Sequence, residues 1–390
     1  MPGSKLSANR RRQEYDYILL GAGCAGLSLL MRMIRTGKFS GKNILLVDKA
    51  PKTTNDRTWC FWETGKGFFE EIVHRQWSSL DFLSDTYSAT LNIEPYHYKM
   101  IRGIEFYNYC FHEISKHSNI ELLYGQAGGM VHHKEGVTLI LDDKELEPGR
   151  AIIFNSIYHP PPVSKRYIEL LQHFKGWMIE TNSPSFTADK ATLMDFRVPQ
   201  GHGTAFVYVL PLSATKALVE YTLFTKELLQ QEQYDKELKS YIEDLLMIKN
   251  YTVSEQESGI IPMTNRKFPF YYDGAYQVGA AGGQTKASSG YTFQFIQKQS
   301  QQIVDCLVAD KSLDTIPATP GRFRFYDNTL LDILYHKRFP GKKIFTDLFK
   351  KNKPRQVLRF LDNESSIADE LKIISSLPTW PFLKAAIRQW

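Results

Sequence analysis

The sequence predicts an α/β chain made of an N-terminal βαβ unit, an inserted β-rich domain and a helical C-terminal region. Three observations carry this. "YDYILLGAGCAGLSLLMRMIRTGKFSGKNILLVDK" reads as strand, glycine turn, helix, strand and acid in succession. "GTAFVYVLPLSATKALVEYTLFT" in mid-chain reads as a hairpin. After about Thr315 the pattern turns helical and basic to the C-terminus. At roughly 150 residues per domain, 390 residues suffice for two or three domains. The expected division is a discontinuous nucleotide domain at 15–160 and 256–312, a substrate domain at 161–255, and a helical basic region at 313–390.

The first element is the most informative. Tyr17 to Leu20 form a buried strand, Gly21 to Gly26 a tight turn, and a helix of apolar period follows to about Thr36, with Gly37 just beyond. Ile44 to Val47 form a second strand ending at Asp48. Together these are the dinucleotide fingerprint of Rossmann-type folds. Gly21 permits the turn, Gly23 lets backbone approach a pyrophosphate, and Gly26 lets helix and strand pack closely, with Ala25 in the same turn. The helix N-terminus offers free N–H groups to phosphates. Asp48, 22 residues after Gly26, is placed for a ribose hydroxyl, with Lys49 beside it. The fingerprint alone does not choose between FAD and NAD. Its place at the start of a long chain favours a flavoprotein, and so does the strand-turn-strand meander in "GGMVHHKEGVTLILDDKELEPGRAIIFNS".

Next comes "DRTWCFWET", unusually aromatic for a loop beside a nucleotide. The inserted region follows, with strands expected from Thr204 to Leu210 and from Ala217 to Phe224. A second glycine-rich segment carries Gly279, Gly282, Gly283 and Gly290 and leads at about Tyr291 into an amphipathic helix. In flavin enzymes such a junction lies against the isoalloxazine ring, and its partial positive end favours negative charge there. A glycine loop without a ligand is the alternative reading.

Composition bounds the rest. Hydrophobic residues at 43% and a mean hydropathy of −0.33 are those of a globular protein. No apolar run approaches the ~20 residues of a membrane span. The N-terminus lacks the apolar core of a secretory signal, and the expected location is cytoplasmic. Cys24, Cys60, Cys110 and Cys306 have no C-x-x-C spacing, and the histidines offer no H-x-x-x-H pair, so no metal site is expected. Between Arg322 and Arg359 stand 11 Lys/Arg and 3 Asp, a local +8 in a chain of net +6. This run is either a solvated face or a surface for an anionic partner. Phe323, Phe325, Phe339, Phe345, Phe349 and Phe360 are interleaved with it, which suits a peripheral membrane contact. No nucleic-acid motif accompanies it.

The sequence resembles the flavin-dependent carotenoid cyclases, specifically bacterial lycopene β-cyclases. The likeness runs through "YDYILLGAGCAGLS", "NDRTWCFWE", "LMDFR", "FVYVLPLSATKALVEYT", "GIIPMT" and "SSGYTF". It departs from the family pattern at Ala287, where Pro is expected. The resemblance implies an FAD-binding domain with a substrate domain over the flavin, and a redox-neutral isomerisation of a long polyene such as lycopene. Reduced FAD, maintained by NAD(P)H, is then required but not consumed. It also implies that Glu220 in "LVEYT" is the catalytic acid.

The residues themselves give a compatible picture. Cyclising an isoprenoid end requires a proton delivered to a double bond, in a pocket that tolerates a cation and excludes water. A carboxylic acid kept neutral by burial would serve. Along the second hairpin strand, Leu218, Glu220, Thr222 and Phe224 share one face; Ala217, Val219, Tyr221 and Leu223 share the other. Both are mostly apolar, so the strand is expected to be covered on both sides. A structural alternative pairs Glu220 with a Lys or Arg. Trp59, Phe61, Trp62, Tyr208 and Tyr221 are expected to line a substrate tunnel, since aromatic faces stabilise a cation; the alternative places such aromatics in a domain interface. Asp56 and Arg57 would anchor the loop or contact FAD, while Gly282, Gly283, Gly290 and Tyr291 would face the cofactor. Asp195 and Arg197 most simply form a structural pair. Two rival classes remain: an FAD-dependent monooxygenase or reductase acting on a lipid or isoprenoid, and a flavoprotein that only docks a partner.

Overall fold

The structure, a computed structural model, describes residues 14–133, 136–162 and 164–389. The polar, basic N-terminal segment before Glu14 lies outside them. The nucleotide sheet has six strands in the order Tyr271–Tyr272, Ala275–Gln277, Ile152–Asn155, Tyr17–Leu20, Ile44–Asp48, Ile120–Tyr124. All neighbours run parallel except the first pair. Tyr17–Leu20 and Ile44–Asp48 are buried along their whole length, the signature of parallel strands covered on both faces. One face packs against the helices Cys24–Thr36, Gly103–Ile114 and Phe293–Val308. The other is covered by the three-stranded meander Ala127–His133, Gly136–Leu141 and Lys144–Leu146.

The fingerprint helix ends as its sequence dictates. Gly37 adopts a left-handed φ of 67° and its N–H caps the Ile34 carbonyl, a conformation glycine reaches without a Cβ penalty.

The substrate sheet has seven strands, in the order Tyr251–Thr264, Glu169–Thr181, Lys216–Thr225, Thr204–Pro211, Lys190–Asp195, Ser79–Ser84, Tyr87–Asn92. This corrects the expected boundary at both ends. Ser79–Ser84 and Tyr87–Asn92 come from within 15–160, and Tyr251–Thr264 runs past 255. The chain enters the second sheet, returns to the first and enters again, and strand pairing across such separations leaves no local trace.

The two hairpin strands pair antiparallel over their length, Tyr208 opposite Glu220. The sheet is covered on both sides. Ala217, Val219, Tyr221 and Leu223 pack against Tyr234 and Leu238 of the helix Gln231–Ser240. Leu218 and Phe224 join the largest core, with residues of the C-terminal helices.

Those helices, from Gly321–Tyr335 to Thr379–Ile387, turn their phenylalanines inward. Phe345 stacks on Phe196 at 5.6 Å and Phe349 on Phe82 at 4.7 Å. Phe323 is also buried, and Phe325, Phe339 and Phe360 are half-buried. The aromatic side of the expected membrane segment is therefore core. Part of its charge is paired as well: Arg322 with Glu370, Arg338 with Asp332, Lys342 with Asp85.

Candidate active site

The glycine fingerprint forms a cradle open on one side. Gly21 takes a φ of +96°, and a Cβ there would lie 2.3 Å from Ser156 Oγ. A Cβ at Gly26 would lie 2.0 Å from the Gly21 carbonyl oxygen. Around Gly23, by contrast, a Cβ would meet nothing within 4 Å. Two of the glycines are thus dictated by packing, and the third faces open space. Asp48 ends its strand buried. It accepts the Ala22 N–H on Oδ2 at 2.7 Å and pairs through Oδ1 with Lys52 at 3.0 Å. It braces the turn from below, while Lys49 is exposed.

The second glycine loop touches the first. A Cβ at Gly279 would lie 2.5 Å from the Ala25 Cβ, so Ala25 joins the two loops. The short turn Gly279–Gly282 then sends Gly282 against the Gln277 carbonyl and Gly283 against Phe268. Neither lines the central cavity. Gly290 and Tyr291 do line it.

That cavity, of about 250 Å³, opens between the nucleotide domain and the substrate sheet. Asp56 and Arg57 stand exposed at its mouth, paired at 3.1 Å. The Tyr107 hydroxyl donates to Asp56 at 3.0 Å, and Gly103 N–H donates to the Arg57 carbonyl at 2.8 Å, which anchors the loop. The walls include Trp59, Cys60, Tyr98, Gln172, Phe174, Tyr208, Leu218, Glu220 and Phe293.

The aromatic strand Thr58–Thr64 divides its side chains between two cores. Strand alternation sends Trp59 and Phe61 toward the nucleotide domain and Cys60 and Trp62 toward the substrate sheet. Trp59 borders the cavity, edge-on to Phe106 at 5.1 Å. Phe61 does not reach it, being stacked on Phe293 at 4.3 Å. Trp62 is buried beyond it, edge-on to Tyr291 at 4.7 Å. Two of this strand's three aromatics therefore hold the domain interface. Tyr221 is also displaced: pleating points it away from Glu220, into the helix-covered core. Tyr208 lines the cavity.

Glu220 is half-buried, and its residual accessibility is to the cavity it lines. Among the described residues no Lys or Arg pairs with it. Its Oε1 accepts from Thr222 Oγ1 at 3.0 Å, and its carboxyl group meets that of Glu257. Burial first, and the Glu257 charge second, push the Glu220 carboxyl well above the usual carboxylate range. Burial likewise keeps Cys60, Tyr98 and Tyr208 protonated. An acid whose carboxyl is raised in this way, in a largely apolar chamber, can act as a proton donor. Asp195 and Arg197 form the expected structural pair, with Arg197 Nη2 at 2.7 Å and the Tyr241 hydroxyl at 2.8 Å from Asp195 Oδ2.

Glu257, Thr58, Tyr98 and Gln172 were not singled out by sequence. The available signal was Glu257 itself, a charged residue in a strand shortly before "GIIPMT".

The family model described as lycopene cyclase protein matches residues 16–387. The lycopene beta-cyclase of Paracoccus sp. (strain N81106 / MBIC 01143) is 26% identical over 235 residues, 56% of this chain and 58% of that protein. That of Pantoea ananas is 26% identical over 215 residues, 54% and 52% of the two chains. The matched part thus spans little more than half of each curated relative. Among solved structures, a geranylgeranyl bacteriochlorophyll reductase-like protein from Thermoplasma acidophilum superposes with a TM-score of 0.60 at 12% identity, covering 95% of this chain and 98% of that one. A flavin-dependent brominase gives 0.59 at 13% identity, covering 97% and 100%. A probable FAD-dependent monooxygenase from Pseudomonas aeruginosa gives 0.55 at 12%, covering 93% and 100%. At these identities the likeness concerns the fold, which is that of Rossmann-type flavoproteins.

Proposed function

The chain belongs to the lycopene cyclase family, and from that premise we propose that it is a lycopene β-cyclase. It converts the linear ends of lycopene to β-rings by acid catalysis, with no net redox change. The observation that carries this reading is Glu220, a carboxylic acid with no basic partner among the described residues, facing an apolar chamber beside the nucleotide domain. A carboxylic acid raised by burial at an apolar wall is a proton donor suited to a weak carbon base. An end group that must be protonated on carbon requires one.

FAD fits the cradle, because the open space at Gly23 and the free N–H groups at the start of Cys24–Thr36 suit a pyrophosphate. Gly21, Gly26, Ala25 and Asp48 shape that cradle, Lys49 stands at its outer edge, and Arg57, Gly290 and Tyr291 border the ring end. Reduced by NAD(P)H and bound there, the flavin would supply negative charge beside the cationic end group. Glu220 delivers the proton to the double bond. Trp59, Tyr98, Tyr208 and Phe293 offer ring faces to the positive charge, each worth roughly 1–2 kcal/mol where water is excluded. Loss of a ring proton completes the product.

The substrate is too apolar to travel through water, so the reading includes peripheral membrane association. No helix among the described residues is long and apolar enough to cross a membrane. The last two helices offer a different contact. Trp380, Leu383 and Ile387 share one face of Thr379–Ile387, and Ile367 and Leu371 share one face of Ile367–Ser376. All five are exposed, with Lys372, Lys384 and Arg388 exposed among them. Apolar stripes rimmed by cations suit an anionic interface. Flotation with anionic vesicles should retain the protein and lose the Trp380→Ser, Leu383→Ser, Ile387→Ser triple variant.

The decisive assay supplies lycopene in lipid to the reduced holoprotein, identifies the product and counts NAD(P)H consumed. A cyclase consumes almost none after the first reduction. Stoichiometric consumption with an oxygenated or saturated product would identify a monooxygenase or reductase instead.

A further inference from the structure

Glu220 does not stand alone, and the reason is a missing side chain. On the strand Glu169–Thr181, Gln172 and Phe174 face the cavity, and the next residue on that face is Gly176. Register pairs Gly176 with Glu220 on one side and with Glu257 on the other. A Cβ at Gly176 would lie 3.0 Å from Leu218 Cδ1, 3.2 Å from Glu257 Cγ and 3.5 Å from Glu220 Cβ. The two glutamates come from strands two apart, roughly 10 Å across a sheet. Only over a residue without a side chain can their carboxyl groups approach each other.

The remaining contacts assign the proton. Glu257 is buried at 8% exposure. Its Oε2 accepts from Thr58 Oγ1 at 2.6 Å and from Asn55 Nδ2 at 3.4 Å. Its Oε1 is fully buried and has no N–H or hydroxyl donor among the described residues. A buried carboxylate oxygen left without a donor is costly. A protonated Glu220 is the donor it lacks. Burial raises the Glu257 carboxyl too, while the Thr58 hydrogen bond and Arg102, itself paired with Glu255, pull it back toward the charged form. The other titratable groups facing the pair are Cys60, Tyr98 and Tyr208, all neutral.

We propose that Glu257 is the positioning residue of the proton donor, accepting the Glu220 hydroxyl across Gly176 so that the pair holds one proton and one negative charge. This rests on the cyclase reading. When the Glu220 O–H bond breaks and its proton forms the new C–H bond, the pair carries two adjacent negative charges. Like charges in one buried site bind a proton strongly. The pair therefore takes back one proton, matching the one the ring loses, and is restored for the second end of the substrate.

Glu257→Gln tests this, because the amide keeps the Thr58 contact and removes only the charge. The assay is a pH profile of kcat and KM on the reduced holoenzyme with lycopene in lipid. Without the neighbouring charge Glu220 ionises more readily, so the basic limb should move down by about one pH unit or more. Turnover above neutrality should fall at least about tenfold and largely recover in acid, with KM and flavin content held. Infrared difference spectroscopy gives a readout independent of turnover. A protonated-carboxyl band absent from Glu220→Gln should persist in Glu257→Gln at a shifted frequency. If Glu257→Gln folds poorly, Glu257→Asp takes its place: with the longer reach to Glu220, the same band should shift. An unmoved limb with an unshifted band, or a uniform loss tracking a lower Tm, would overturn the pairing. Full activity in Glu220→Gln would instead overturn the cyclase mechanism, so the two failures are distinct.

Discussion

The fingerprint turn occupies six consecutive residues, Gly21 to Gly26, whereas the acid chamber across the cleft draws on Thr58, Gly176, Tyr208, Glu220, Glu257 and Tyr291. In the turn, function depends on what is absent. Gly21 needs its positive φ, Gly26 has a carbonyl where a Cβ would be, and Gly23 leaves open space. In the chamber, function depends on what is enclosed, a carboxyl group raised by burial and by a second carboxyl from two strands away. A backbone device survives being read one segment at a time. A burial device exists only once the sheet has closed over it. Gly176 belongs to both kinds, since an absent side chain permits the buried contact.

The largest effect should come from Gly23→Val. A Cβ there meets no atom of the described residues within 4 Å, so the variant should fold with an unchanged Tm while its branches fill the cradle. Flavin absorbance in the purified protein should be abolished, and full retention would remove the fingerprint from the cofactor site. Glu220→Gln attacks the other region. Turnover should fall by about 10²–10⁴-fold, the usual scale of general-acid catalysis, with flavin content and Tm as in the parent. A lower Tm with near-normal turnover per folded molecule would make the residue structural.

The same sheet also hides a neutral base on its helix-facing side, which sharpens the comparison in the opposite sense of charge. His173 accepts the Tyr234 hydroxyl on Nδ1 at 2.5 Å and donates from Nε2 to Thr225 Oγ1 at 2.6 Å. Burial lowers its pKa to about 4 from 6.5. Between those values the unfolded chain binds the proton and the folded one does not. Its contribution is thus fully present above about pH 6.5 and lost as pH falls toward 4, on the order of 3 kcal/mol in all. Urea unfolding at pH 7 and pH 4.5 should expose this loss, and His173→Gln should flatten it. An equal loss in the variant would place the acid sensitivity elsewhere.

The smallest effect is expected one residue from the acid. Tyr221 points to the helix-covered core and its hydroxyl is buried without a partner among the described residues. Tyr221→Phe should leave turnover unchanged and raise stability by about 1 kcal/mol, the lower end of the cost of an unsatisfied group. A loss of turnover comparable to Glu220→Gln would return Tyr221 to the cavity.

The sequence by itself determined whatever is written in consecutive residues: the strand, turn, helix and strand of the fingerprint, the Gly37 cap, the hairpin around the Ser213 turn, and a lone acid on a strand apolar on both faces. It could also say that the aromatic strand mattered, because three large rings beside a nucleotide turn need a shared surface. Only the tertiary structure decided how those rings divide, since pleating sends Phe61 onto Phe293 and Trp62 onto Tyr291 while Trp59 alone borders the cavity. It decided that the basic segment keeps its phenylalanines for the core, because the helical period that lines them up does not reveal which face a sheet will cover. It decided the domain boundary and the partner of the acid by the same means. Residues 79–92 and 251–264 enter the substrate sheet through pairings whose register no local pattern specifies. Glu220 and Glu257 are 37 positions apart in the chain, and a glycine on the intervening strand leaves the gap across which they face each other.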